Sequence, residues 1–208
     1  MGHPHLELNP LPPGFAAARA ALHRVAAEVV APARERATGH EISLRALPGG
    51  FGTPPGEGWG QVRVEGTDLV RVDADGGERR EALEVDAAGA AALAAWFAYG
   101  AGVLAALRAE LPGAGIVRLW PEHFDVAIEA GPESARATFG ASPGDEHHPE
   151  PYLYCAPWGA VPTGPRWRAH GFAGSELAYA ALLAEPAAGL RHLQDCWADL
   201  SPGSGPRP

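Results

Sequence analysis

The chain contains no lysine. All 16 of its basic residues are arginine, set against 25 acidic ones, for a formal net charge of −9. No segment concentrates those arginines into a basic patch, which disfavours nucleic acid as a partner. Cysteine is scarce as well: Cys155 and Cys196 are the only two, too few for a disulfide framework or a zinc knuckle. They are expected to be reduced, buried thiols of a cytoplasmic protein. The opening residues Met1-Gly2-His3-Pro4-His5-Leu6 lack a basic region followed by an apolar stretch, so no secretory signal is expected. Leu6 stands where a myristoylation signal carries Ser or Thr.

Long hydrophobic runs are nearly absent too. The one exception, Ala87 to Leu107, contains Trp96 and Tyr99 and sits between Asp86 and Pro112. Its bulky residues Leu93, Trp96, Phe97, Val103, Leu104 and Leu107 recur at helical spacing with alanine opposite, the pattern of a buried amphipathic helix rather than a membrane span. No membrane partner is expected. Alanine, glycine, proline and arginine dominate the rest, a composition typical of GC-rich coding. At 46% hydrophobic and 20% charged, the 208 residues suit a single folded domain over 1–208, with 1–13 an extended arm and 201–208 a disordered tail.

Along the chain, Phe15, Ala18, Leu22, Val25 and Val29 predict a helix that Pro32 ends or kinks, with Gly39 as a stop. Glu41–Leu47 alternates like a strand, and the Gly49–Gly56 segment reads as a flexible loop or pocket lid. Val62–Val64 and Leu69–Val72 flank Gly66-Thr67-Asp68 as a hairpin, with a further strand near Arg80–Val85. Asp86 is a suitable N-cap for the long helix. Beyond Pro112-Gly113 the pattern predicts strands over Ile116–Trp120, Glu122–Ala130 and Ala135–Ala141, then an aromatic strand Tyr152–Trp158. Helices are expected at Ser175–Ala184 and Ala187–Leu200. Hairpins in place of strand–helix alternation favour an α+β fold: an antiparallel sheet with the long helix packed on one face and helices at the C-terminus.

Chemistry-bearing side chains are densest between Leu119 and Trp158. His123 and Asp125 lie two apart, so on a strand from Glu122 they would project together while Phe124 and Val126 face the core. The returning strand brings the loop Ser142–Pro151 to the same edge, placing Asp145, Glu146, His147, His148 and Glu150 beside the pair. Crowded carboxylates raise one another's pKa unless a cation compensates, and the two compensators are a divalent metal or Arg118 and Arg136. His123 and Asp125 with His170, His147 or His148 match a two-His-one-carboxylate metal set. Without metal, His123, Asp125, Asp145 and Glu146 form an acid/base group. Ser142 is a weak candidate nucleophile, because Ser142-Pro143-Gly144-Asp145 is also an ordinary turn. Tyr152, Tyr154 and Trp158 share a strand face, either as core or as a platform for a sugar or heteroaromatic ring beside Glu150, with Trp167, Arg168 and His170 as a far wall.

With Leu119-Trp120-Pro121-Glu122-His123-Phe124-Asp125, Ser142-Pro143-Gly144-Asp145-Glu146, Glu150-Pro151-Tyr152-Leu153-Tyr154 and Pro157-Trp158 in view, the chain resembles a family of conserved bacterial proteins of unassigned function. The resemblance implies a site across residues 118–158 and no particular activity. Three functions remain open: an enzyme acting on a small polar molecule by acid/base or metal-assisted chemistry, a non-catalytic module binding a small molecule on its aromatic platform, and a structural protein whose acidic loop only shapes a turn.

Overall fold

Backbone geometry follows the local chemistry closely at the first helix. In the computed structural model, which describes residues 8–111 and 113–201, α1 (Phe15–Val25) passes without a break through one widened π turn, Ala26–Val30, into α2 (Ala31–Thr38). Pro32, in the first turn of α2, has no N–H for the carbonyl four residues back, and its ring crowds that carbonyl. A widened turn is the local insertion that relieves this without ending the helix. The buried positions become Phe15, Ala18, Leu22, Ala26 and Val30, displacing the expected stripe at Val25 and Val29 by one residue. Gly39, at φ 88°, closes α2 in the left-handed conformation as expected. Most of the expected N-terminal arm and nearly all of the expected tail lie outside the described residues.

Among the described residues, two antiparallel sheets and five α-helices make this an α+β fold. The chain divides into two compact units: up to residue 99 with 118–126, and 100–117 with 127 onward. In the first unit β1 (Arg45–Leu47), β2 (Gly50–Gly52), β3 (Gln61–Glu65), β4 (Asp68–Val72) and β5 (Glu78–Ala82) form a meander in sequence order. The β3–β4 hairpin turns on Gly66 at φ 61°, pairing Glu65 with Asp68. Within the glycine-rich segment, Gly50–Gly52 form strand β2 and not a loop. A Cβ on Gly50 would lie 2.2 Å from the Val64 carbonyl, so glycine is what lets β2 approach β3. Phe51, between Gly50 and Gly52, enters the core edge-on against Phe97 and Phe124.

The long helix α3 (Ala87–Glu110) begins where expected: the Asp86 carboxylate accepts the Gly89 N–H at 2.7 Å. By length and composition alone this helix could cross a membrane, yet half of its most apolar stretch is buried inside the protein. Leu93, Trp96, Phe97, Leu104 and Leu107 are almost completely covered, as the apolar stripe predicted.

The second sheet has the order β10-β9-β8-β7-β6, formed by β6 (Arg118–Trp120), β7 (Asp125–Ala130), β8 (Ala137–Ser142), β9 (Tyr152–Pro157) and β10 (Ser175–Ala178). The chain passes from the first unit to the second within β7. Ser175–Ala178 was expected to open a helix. It is instead an edge strand paired to β9, and α4 begins only at Tyr179 (Tyr179–Ala184). Ser175 and Leu177 bracket Glu176 in a two-residue alternation that is too short to outweigh the alanine-rich helix following it. Helix α5 (Ala188–Leu200) packs against β9 and β10. Leu153 and Cys155 of β9 are completely buried while Tyr152 and Tyr154 are partly exposed, so the sheet has one covered face and one open face.

Candidate functional site

The expected His123/Asp125 pair is not built. The residues Pro121–Phe124 form a turn, closed by Phe124 N–H donating to the Trp120 carbonyl at 2.7 Å, and β7 starts only at Asp125. Phe124 has φ 54°, a left-handed conformation uncommon in a non-glycine residue. That kink breaks the two-residue alternation on which the pairing rested. His123 is exposed, and Asp125 is buried at 3% exposure. Phe124 does reach the core as expected, with the His23 ring stacked on it at 4.9 Å. Arg118 is half-buried in β6, with its guanidinium 5.7 Å from the Trp120 ring.

Within the second unit, the loop after β8 does assemble a polar group, with different members from those expected. Ser142 Oγ accepts the Gly144 N–H at 3.1 Å, which is the turn role and not that of a nucleophile. Asp145 Oδ1 then accepts the N–H groups of His147 and His148 at 2.7 and 2.8 Å. Burial pushes the Asp145 pKa up, but the backbone N–H of His148, that of His147 and the His148 imidazole together outweigh it and hold the carboxyl below its usual range. Glu146 and His147 point to solvent as an exposed pair 3.7 Å apart.

His148 is the centre of the group. Its Nδ1 lies 3.6 Å from Asp145 Oδ1 and its Nε2 lies 3.2 Å from Glu176 Oε2. Its ring leans on Tyr152 at 4.5 Å, and the exposed His170 meets it edge-on at 5.5 Å. Tyr152, Tyr154 and Phe172 lie 6.0–6.2 Å apart in mutual contact. Register explains the arrangement. Glu176 pairs with Tyr154, and Tyr154 pairs with Gly140 of β8, so carboxylate, phenol and glycine form one cross-strand row on the open face. The Tyr154 ring lies over Gly140, where a Cβ would sit 2.4 Å from it.

Trp158 extends this row. It is 58% exposed, donates from Nε1 to Thr138 Oγ1 at 3.0 Å, and carries the Arg136 guanidinium 4.4 Å above its ring. Arg136 itself is paired with Glu129 at 2.6 Å and so is not a compensator for the acidic loop. Glu150 is exposed, close enough to Tyr179 to add to the rise that burial imposes on that phenol. Trp167 does not form a far wall: its Nε1 donates to Asp199 of α5 at 2.9 Å, and Arg168 faces solvent.

Among the described residues no group of three or more His, Cys, Asp or Glu side chains is placed to hold a metal ion. The set His123, Asp125 and His170 is therefore not assembled as ligands, because the turn at Pro121–Phe124 separates an exposed imidazole from a buried carboxylate. Glu176 and Phe172 carry no local signal: the alanine-rich stretch after Glu176 predicts a helix over Ser175–Ala184, and Phe172 lies in a segment with no periodicity. No protein-family model, no curated protein and no solved structure matches this chain.

Proposed function

We propose that the protein binds a small, flat ligand carrying amine or hydroxyl donors on the open face of β8, β9 and β10. The observation that carries this reading is the contiguous aromatic surface of Tyr152, Tyr154 and Phe172 with the Glu176 carboxylate in the same row. Exposed rings offer a stacking surface, and a partly covered carboxylate accepts hydrogen bonds or pairs with an ammonium group. Acidic surroundings favour a neutral or cationic ligand: the chain carries a net charge of −9, and Asp145 and Glu150 flank the same face. Glu150, Tyr152 and Tyr154 also belong to the motif that carries the family resemblance. In this reading the partner is a small molecule, with neither nucleic acid nor membrane involved, and the protein works in the cytoplasm.

His148 supports a second reading, catalysis. An imidazole between two carboxylates, 3.6 and 3.2 Å away, is placed to exchange a proton with Glu176, the carboxylate that shares a row with Tyr154. The enzyme would then use Asp145, His148 and Glu176 in place of His123 and Asp125.

One experiment addresses both. A library of amines, nucleobases and sugars is screened by thermal shift against the wild type, Tyr154→Ala and Glu176→Gln. Binding at this face raises the wild-type melting temperature, and both variants show a smaller shift at the same ligand concentration. Loss of one stacked ring at ~0.5–1.5 kcal/mol weakens affinity roughly twofold to twelvefold. A ligand that shifts all three equally places binding elsewhere. Turnover of a ligand that disappears in His148→Gln decides for catalysis.

A further inference from the structure

The covered face of the same sheet holds the chain's other concentration of reactive groups. Ser175 and Cys155 are cross-strand partners, and both point toward α5. His192 and Cys196 sit one helical turn apart on α5, on the face that packs against β9 and β10. His192 Nε2 lies 3.1 Å from Ser175 Oγ and 3.8 Å from Cys196 Sγ. Cys155 stands beside Ser175 in the strand pairing, so both thiols lie at the junction where Ser175 and Cys196 meet His192. Both sulfurs are fully buried, and the half-buried His192 is the member of the group that reaches the surface.

We propose that Cys155 and Cys196 are a redox-active dithiol: Cys196 is the thiol that attacks a peroxide, and Cys155 resolves the product as an intramolecular disulfide. In the first step the Cys196 sulfur forms an S–O bond as the peroxide O–O bond breaks. The sulfur becomes a sulfenic acid, and the departing oxide takes a proton to leave as water or an alcohol. In the second step the Cys155 sulfur attacks the sulfenic sulfur. The S–S bond forms, the S–O bond breaks, and the hydroxyl leaves as water with the Cys155 proton. The two sulfurs together lose two electrons and the peroxide gains them.

The division of roles follows from what surrounds each sulfur. A thiolate is the nucleophile, and it forms where donors surround it. A hydrogen bond from Cys155 lowers the Cys196 pKa most; burial opposes this, and His192 and Ser175 add further lowering. Cys155 moves the other way, pushed up by that same hydrogen bond, by burial and by the negative charges of Cys196 and Asp199. Arg166, bound to Asp195 and Asp199, is the nearby cation. Cys196, with the His192 imidazole 3.8 Å from its sulfur, is the thiol ready to attack, and Cys155 retains its proton until the sulfenic acid forms. This chemistry is on the opposite face from the aromatic surface and is independent of what binds there.

The test uses the full chain. The reduced protein is treated with hydrogen peroxide at neutral pH, its remaining thiols are alkylated under denaturing conditions, and the peptides are mapped by mass spectrometry. The expected product is a 155–196 disulfide with both thiols lost together. Cys155→Ser should stop at a sulfenic acid on Cys196, trapped by a dimedone-type reagent, whereas Cys196→Ser should give none on Cys155. His192→Asn should slow the reaction at least tenfold near pH 6 and move its pH midpoint toward that of an ordinary thiol. Circular dichroism identifies any variant that fails to fold, and the wild-type map then decides alone, since there are only two cysteines. The proposal is overturned if both wild-type thiols stay alkylatable under peroxide that oxidises free cysteine, or if Cys155 is the sulfur trapped.

Discussion

Asp145 shows how one side chain can organise a loop before it takes part in any chemistry. Its carboxylate caps two successive backbone N–H groups and steadies the imidazole between itself and Glu176. Asp145→Ala should cost about 1 kcal/mol, the worth of hydrogen bonds at a partly exposed site. For a domain of this size that is a fall of roughly 2–4 °C in melting temperature. The pH dependence has a definite sign. The folded pKa lies below the unfolded value, so the stabilisation is fully present above the unfolded pKa of ~3.9 and is lost as pH falls through the folded one. Melting curves of the wild type and the variant should differ at pH 7 and converge in acid; a gap that persists at pH 2 would assign the loss to packing.

At the scale of elements, two effects compete where α3 meets α1. Gly89 is inside a helix, where alanine would gain about 1 kcal/mol in helix propensity. A Cβ there, however, would lie 2.6 Å from Ala18 Cβ and 3.2 Å from the Gly14 carbonyl. Forcing an extra methyl into such a contact costs ~1–3 kcal/mol. Crowding wins, and Gly89→Ala should lower the denaturation midpoint in a urea titration. The edge strand β5 poses a different problem. It is exposed along its length, and its Glu78, Arg79 and Arg80 pair with Arg63, Glu65, Asp68 and Asp73 on neighbouring segments. Hydrogen bonds from Arg63 and then Arg80 keep the Glu78 carboxyl below its usual range. Exposed pairs of this kind contribute little stability, but charge on an open edge discourages pairing with another chain. Replacing Glu78 and Arg80 together by valine should leave the melting temperature nearly unchanged while light scattering reports self-association.

On the scale of the whole molecule, chain order and compact units do not coincide. The first unit needs Arg118–Val126, which follows α3 in sequence: Leu119 bridges to Leu44 through paired hydrogen bonds, and Phe124 completes the cluster of His23, Phe51 and Phe97. A fragment ending at residue 110 therefore lacks part of its own core. It should show no near-ultraviolet circular dichroism and no cooperative melting, and adding 111–130 should restore more order than the added length alone explains. A sharply melting 1–110 fragment would mean that this cluster is dispensable.

Local pattern alone specified much of this molecule. The β3–β4 hairpin follows from alternation around Gly66, the start of α3 from the Asp86 cap, and the burial of Trp96, Phe97 and Leu104 from a stripe at helical spacing. These features depend on residues within a few positions of one another, so the sequence determines them directly. The same logic placed Tyr152 and Tyr154 together on one strand face. What only the tertiary structure decided involves partners distant in sequence or a backbone that leaves its regular period. The left-handed Phe124 separates His123 from Asp125, and a widened turn before Pro32 shifts a whole stripe by one residue. Ser175–Ala178 is a strand because β9 supplies a hydrogen-bonding edge, which no local propensity encodes. That pairing alone sets Glu176 beside Tyr154 and His148 on one face, and Ser175 beside Cys155, His192 and Cys196 on the other.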